Sequence, residues 1–370
     1  MKLAVISFTP RGTEVCRKLV ERLTDLGHVC TGYIPEKYAG EPERQGENPG
    51  GILVRRESLD RWTRRMFPAM EGLVFVSAAG IAVRAVAPWV RDKMTDPAVV
   101  VVDEGGQYAI SLLSGHLGGA NDLARQVAGA IGAQPVITTA SDVEGVCAVD
   151  LWARDHGLVI RDRVRARQVQ AAVLEGQPVA VSWEPWLEDC LPWLGREPLP
   201  QGWQKISREE SWRNAGIHIT VRTGPQEGEP GRNQPVLCLV PRILVLGIGC
   251  RRGTAGERLG ERVRQVLGQA GLDPWALCRI ASIDLKRKEP GILALAELLQ
   301  IPYETFPAEA LETVDQPVEE SEFVRSVTGT GNVCERAALL AAGEHSRLVV
   351  AKQAGDGITV AVAAGWRPEP

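Results

Sequence analysis

Short, uninterrupted apolar runs recur along this chain, and each breaks at a glycine or polar turn before a stretch of helical spacing. LAVISF, GLVFVSA, AVVVVDEGG and RILVLGIGC lack the in–out alternation of a strand with one wet face, so they read as strands covered on both faces. Between them, residues 13–26 carry Val15, Leu19, Leu23 and Leu26 at helical spacing and stop at Gly27. Residues 254–269 do the same with Leu259, Val263 and Leu267. Strands alternating with helices predict a mainly parallel α/β sheet. Ligands on such sheets gather at the carboxyl ends of strands. By that rule Ser77–Gly80, Asp103–Gly105 and Ser114–His116, each following a strand candidate, are expected on one edge.

The pattern divides the 370 residues into an N-terminal α/β domain (1–140), a middle domain or structured connector (141–240) and a second α/β domain (241–370). The expected fold is therefore α/β: two α/β domains with mainly parallel sheets, joined by a small middle domain. The middle region has weaker periodicity. It holds five tryptophans from Trp183 to Trp212 among several prolines, and these read as packing residues rather than a binding platform. Residues 35–51, rich in Pro, Gly and charge, read as a surface loop. Near the end, LVVAKQ and ITVAVA joined by AGDG read as a hairpin.

A formal net charge of −4 argues against non-specific nucleic-acid binding. No apolar run reaches the roughly 18 residues of a membrane span, and MKLAVISFTPRG is too short in its apolar part for a signal peptide. A cytoplasmic protein is expected. The eight cysteines are scattered without C-x-x-C, as buried thiols would be, and the five histidines show no ligand spacing, so no protein metal site is expected.

The densest collection of chemically useful groups is SLLSGHLGGANDLA, residues 111–124. Its glycines permit a sharp turn and close approach to a ligand, and the following helix start offers backbone donors to an anion. His116 is suited to proton transfer near neutral pH, or else merely satisfies a backbone carbonyl. Asp122 either caps the helix or orients His116. Ser114 reads as a turn residue, because a serine two residues from a histidine rarely aligns for attack. Gly118, Gly119 and Asn121 complete the turn, and Gly80 marks a similar one. A second turn of the same plan, TGTGNVCERAALL at 328–340, contributes Gly331, Asn332 and Glu335. In LVLGIGCRRG, Gly247 and Gly249 form G-x-G, but Gly253 comes one place late and no acidic residue follows at dinucleotide spacing. A tight turn, or an anion site with Arg251 and Arg252, fits better. Lys286, Arg287 and Lys288 follow Asp284 at a strand end, and Lys352 ends LVVAK. Such cations are commonly solvated, yet a polyanionic ligand would suit them. No P-loop and no G-x-S-x-G occurs.

The run VSAAGIAVRAVAPWVRDKMTDPAVVVVDEGGQYAISLLSGHLGGANDLARQVA resembles the N-terminal domain of the cobalamin biosynthesis protein G family. LGIGCRRGT, SIDLKRKEPG, GTGNVCERAALLAAG and LVVAKQ with GITVAVA resemble that family's C-terminal, CobE-like domain. The resembling stretches span about two thirds of the chain by loose motif matching.

The resemblance implies a cobalt-precorrin-5A hydrolase of anaerobic cobalamin biosynthesis. Such an enzyme opens the δ-lactone of a cobalt-bearing macrocycle and releases acetaldehyde. It implies no cofactor of the protein's own, since the cobalt arrives in the substrate, and it leaves neighbouring corrin-pathway enzymes as partners. Within that reading His116 is the expected general base, oriented by Asp122. The backbone at Gly118, Gly119 and Gly331 would supply oxyanion or carboxylate donors. Arg84, Arg251, Lys286 and Lys352 would hold peripheral carboxylates. The alternative is a non-catalytic tetrapyrrole carrier using the same turns and cations. A dinucleotide oxidoreductase fails on the fingerprint.

Overall fold

The computed structural model describes the chain except for residues 46–48, 93–94, 117, 207–216, 225–235 and 366–370, so Trp212 lies outside the described residues. Two compact units, Met1–Leu151 and Trp152–Pro370, make up the chain.

In the first unit, β1 (Lys2–Ser7), β2 (Val29–Pro35), β3 (Ile52–Arg55), β4 (Gly72–Val76), β5 (Ala98–Val102), β6 (Tyr108–Leu113) and β7 (Gln134–Val136) form one sheet in the order β3-β2-β1-β4-β5-β6-β7. Strands β1 to β5 are mutually parallel. Neighbouring positions on one strand face opposite ways. Leu3 and Val5 of β1 therefore join α1 (Pro10–Asp25) and α5 (Ala120–Ile131) in one core, with Leu19, Leu23, Leu123 and Val127. Ala4 and Ile6 join α3 (Leu59–Met66) and α4 (Ala79–Val86) in the other, around Trp62 and Phe75. Each buried Leu, Ile, Val or Phe side chain among these stabilises the fold by roughly 1.5–3 kcal/mol. Thr9 opens α1 by accepting a hydrogen bond from the Gly12 N–H, with Pro10 in the first turn.

One expectation changes here. Residues 35–51 are not a plain loop: α2 (Glu41–Arg44) lies within them, and Arg17 donates to both carboxylate oxygens of Glu43. Strand β6 runs antiparallel to β5, pairing Val99 with Leu113 and Val102 with Ala109. The reversal is made by Asp103, whose carboxylate accepts from the N–H groups of Gly105, Gln107 and Tyr108. β7 then runs parallel to β6.

The second unit holds two sheets. One is β10-β9-β11-β12-β8, formed by β8 (Leu158–Ile160), β9 (Val179–Trp183), β10 (Trp203–Lys205), β11 (Ile217–Val221) and β12 (Val236–Pro241), with β8 the antiparallel member. A region read as weakly periodic thus contains its own α/β sheet, flanked by α8 (Arg163–Leu174). Trp193 packs edge-on and Trp203 tilted against Trp152, as the packing reading expected. The other sheet is β15-β14-β13-β17-β16, from β13 (Leu244–Cys250), β14 (Leu277–Ile283), β15 (Tyr303–Phe306), β16 (Arg347–Gly355) and β17 (Ile358–Ala364). The hairpin β16–β17 is as expected. Helix α9 (Cys334–Ala342) lies so close to β13 that a Cβ on Gly247 would sit 1.8 Å from the Cys334 carbonyl oxygen, so only glycine fits there. Among the described residues no helix is long and apolar enough to cross a membrane.

Candidate active site

The reversal of β6 decides where the chemistry sits. Because Leu113 pairs with Val99 at the start of β5, the turn after β6 emerges at the amino ends of the parallel strands. Ser77–Gly80 and Asp103–Gly105 lie at their carboxyl ends. The expected common edge is thus split, and Gly80 and Arg84 are across the sheet from His116. Both belong to the surface of α4, where the Arg84 guanidinium donates to the Gly80 carbonyl.

At the amino edge the chain makes a strained turn. Ser114 takes a left-handed φ of 59° and Gly119 one of 81°. A Cβ on Gly118 would lie 2.3 Å from the Ser114 Cβ, so the turn closes only around glycine. Three of its donors are spent internally: Gly119 N–H on the His116 carbonyl, Ala120 N–H on the Ser114 carbonyl, and Asn121 N–H on the Gly115 carbonyl. The expected oxyanion donation from the Gly119 backbone is therefore not available. The Ser114 hydroxyl is buried and has no hydrogen-bond partner among the described residues.

Strand β7, parallel to β6, delivers Thr139, Ser141 and Asp142 to the same edge, where α6 (Ala140–Glu144) begins. Asn121 ties the two segments together. Its side chain, 3% exposed, accepts from Ser111 at 2.7 Å and donates to Thr139 at 3.0 Å and to Asp142 at 2.9 Å. The His116 ring is gripped at both nitrogens. Nε2 lies 2.9 Å from the Ser141 hydroxyl and 3.2 Å from Asp142. Nδ1 lies 3.5 Å from Asp150, at the start of α7 (Val149–Asp155). Arg125 of α5 holds the other oxygen of Asp142 at 2.5 Å. The hydrogen bond to Asp150 is the main cause that raises the His116 pKa above the ordinary imidazole value; Asp142 adds to it, and burial opposes both.

Asp122 does not take the role expected of it. Its carboxylate pairs with Arg125 at 3.0 Å on a half-exposed turn, while Asp142 and Asp150 grip the imidazole. A ring with carboxylates at both nitrogens favours the imidazolium form. A proton taken up by the neutral ring is therefore held as the cation until it is passed on.

In the second unit, Arg251 and Asp284 follow the carboxyl ends of β13 and β14, as expected, with Lys286 beside them. Asp284 is taken up by Arg287 at 2.7 Å, and Lys286 by Glu289 at 2.9 Å. Gly249 lies within β13, paired with Thr359, and not in a turn. The TGTGN turn is a buried scaffold. Asn332 and Glu335 are 0% and 2% exposed. Glu335 accepts from the Asn332 amide and from the N–H groups of Glu319 and Lys352. Asn332 also donates to the Glu319 carbonyl, and the Gly331 carbonyl accepts from Ser321. These polar atoms are consumed by the fold, so the ligand roles expected of the Asn332 and Glu335 side chains do not stand. Lys352 lies inside β16 rather than at its end.

Ser141, Asp142 and Asp150 were missed because no spacing links them to His116. The available signal was the cluster Thr139, Ser141 and Asp142 shortly after the short strand β7. Among the described residues no three His, Cys, Asp or Glu side chains converge as metal ligands, and every cysteine is unbridged.

Three family models match the chain in order: the cobalamin synthesis G N-terminal region at residues 61–142, the cobalamin biosynthesis central region at 147–241, and the cobalamin synthesis G C-terminus at 244–363. A cobalt-precorrin-5A hydrolase from Salmonella typhimurium is 35% identical over 98% of this chain and 97% of its own length. One from Priestia megaterium is 32% identical over 97% of this chain and 94% of its own. Protein CobE from a Sinorhizobium species is 37% identical over 32% of this chain and 79% of its own.

Proposed function

The chain belongs to the cobalamin synthesis G family, and from that premise we propose that it is a cobalt-precorrin-5A hydrolase. The reaction adds water across the δ-lactone of the macrocycle, then breaks a carbon–carbon bond to release acetaldehyde and cobalt-precorrin-5B. The cobalt is part of the substrate, and no cofactor of the protein's own enters the scheme. The work falls in the cytoplasm, beside the other enzymes of the corrin pathway.

The observation that carries the reading is the His116 ring held between Asp142 and Asp150 in a partly buried polar cluster. Both halves of the reaction need proton transfers alongside the bonds that break. Lactone opening needs a proton delivered to the departing alkoxide. Fragment release needs one taken from the new hydroxyl and one returned to the ring carbon. An imidazole stabilised as its cation by two carboxylates can hold the proton between these events.

The test is acetaldehyde release. The protein is incubated anaerobically with cobalt-precorrin-5A while aldehyde and macrocycle mass are followed together. Stoichiometric aldehyde with the matching mass loss supports the hydrolase. Macrocycle binding without aldehyde makes the protein a carrier, and the absence of both binding and aldehyde removes both readings.

A further inference from the structure

Ser141 stands where a nucleophile would. Its hydroxyl oxygen is 2.9 Å from His116 Nε2, and on the far side of the ring Nδ1 is 3.5 Å from the Asp150 carboxylate. An imidazole with a hydroxyl at one nitrogen and a carboxylate at the other is the arrangement that activates a hydroxyl. The carboxylate fixes the ring's orientation and tautomer, and the opposite nitrogen takes the proton. The three residues come from three separate segments, the β6–α5 turn, α6 and α7, and no sequence motif announces them. Recognition rests on geometry and roles rather than on order in the chain.

We propose that Ser141 is the nucleophile that opens the lactone, so that hydrolysis passes through an ester on its side chain. This rests on the hydrolase reading above. The Ser141 oxygen bonds to the lactone carbonyl carbon while its proton passes to His116 Nε2. The bond between that carbon and the ring oxygen breaks, and the departing alkoxide takes the proton back from Nε2. A water molecule then attacks the Ser141 ester, giving one proton to His116. The carboxylate leaves and Ser141 regains its proton. One water is consumed and no oxidant or reductant is needed.

The surroundings suit these steps. Asp142, 3.2 Å from the same Nε2, stabilises the imidazolium formed as the serine proton arrives. Its own position is fixed by Asn121 at 2.9 Å and Arg125 at 2.5 Å. Ser141 is 3% exposed, so its hydroxyl is shielded from bulk water and held against the ring.

The experiment is a quench during anaerobic turnover of cobalt-precorrin-5A, with and without hydroxylamine. The expected result is a macrocycle adduct on the peptide bearing Ser141, with part of the product diverted from carboxylate to hydroxamate. Ser141→Ala should abolish the adduct and the hydroxamate, and slow ring opening by about 100-fold or more, with thermal unfolding unchanged. Ser141→Cys should give a thioester adduct. Should the alanine variant not fold, the wild-type adduct and hydroxamate decide alone. Aldehyde release by wild type with no adduct and no hydroxamate overturns the role of Ser141 and leaves the hydrolase intact. Absence of aldehyde from wild type overturns the hydrolase reading itself.

Discussion

The Nδ1 atom of His116 stands 3.5 Å from the carboxylate of Asp150, joining the glycine turn after β6 to the start of α7. Asp150→Asn keeps the shape and removes the charge that chiefly raises the imidazole pKa. In this variant His116 should titrate at lower pH than in wild type, read from its ring proton resonances. Turnover should fall by about 100-fold, with KM little changed. Unchanged titration would show that Asp150 does not govern the ring.

The same contact ties stability to pH. The folded His116 pKa lies above the unfolded value, so the folded state binds this proton more tightly. Its contribution is complete below the unfolded pKa of about 6.5 and is lost as pH rises through the folded value. The groups facing the ring's cluster are Asp142 of α6, Asp150 of α7 and, through Asp142, Arg125 of α5. Wild type should therefore exceed His116→Gln in Tm most at about pH 5–6, with the gap narrowing toward alkaline pH. A gap that widens with pH would reverse the assigned charge state.

Much of this was legible in the sequence, for identifiable reasons. GLVFV and AVVVV became β4 and β5 because a strand covered on both faces needs an apolar residue at every position. The turn at 114–119 was legible because its glycines serve backbone geometry. The direction of YAISLL was not, since its apolar content is the same in either orientation and the reversal depends on one Asp103 carboxylate collecting three N–H groups. That single reversal moved His116 to the other edge. Asp142 lies 26 residues from His116, and only the parallel pairing of β7 with β6 brings it there. Asn332 and Glu335 misled for the converse reason: polar groups in a glycine turn serve a ligand or the fold, and burial alone distinguishes the two.

Glu335 provides the check on that correction. Its two oxygens collect the Lys352 N–H at 2.6 Å, the Asn332 amide at 2.6 Å and the Glu319 N–H at 3.2 Å. Glu335→Gln turns an NH2 group toward one of these donors inside the fold. Stability should drop by about 1–3 kcal/mol in urea unfolding, while KM of the folded fraction stays at the wild-type value. A raised KM with unchanged stability would restore Glu335 as a ligand group.

Asn121 gives the sharpest test of how the cluster is held. Aspartate has nearly its shape, and a carboxylate in the first turn of α5 gains about 0.3–1 kcal/mol from the helix dipole. Considered as a helix alone, Asn121→Asp should be harmless. The surroundings reverse the sign. The Asn121 amide donates to Asp142 at 2.9 Å and to Thr139 at 3.0 Å, and an oxygen in its place loses the first bond and sets two carboxylates face to face. Leaving such a buried group mismatched costs about 1–3 kcal/mol, more where charges are involved, which exceeds the dipole gain. Asn121→Asp should therefore unfold at lower Tm than Asn121→Ala, which removes the bonds without adding a charge. The extra negative charge beside Asp142 should also push the His116 titration upward, whereas the alanine variant adds no such charge. If the aspartate variant matches or exceeds the alanine variant in Tm, Asp142 is not held where His116 needs it by this amide.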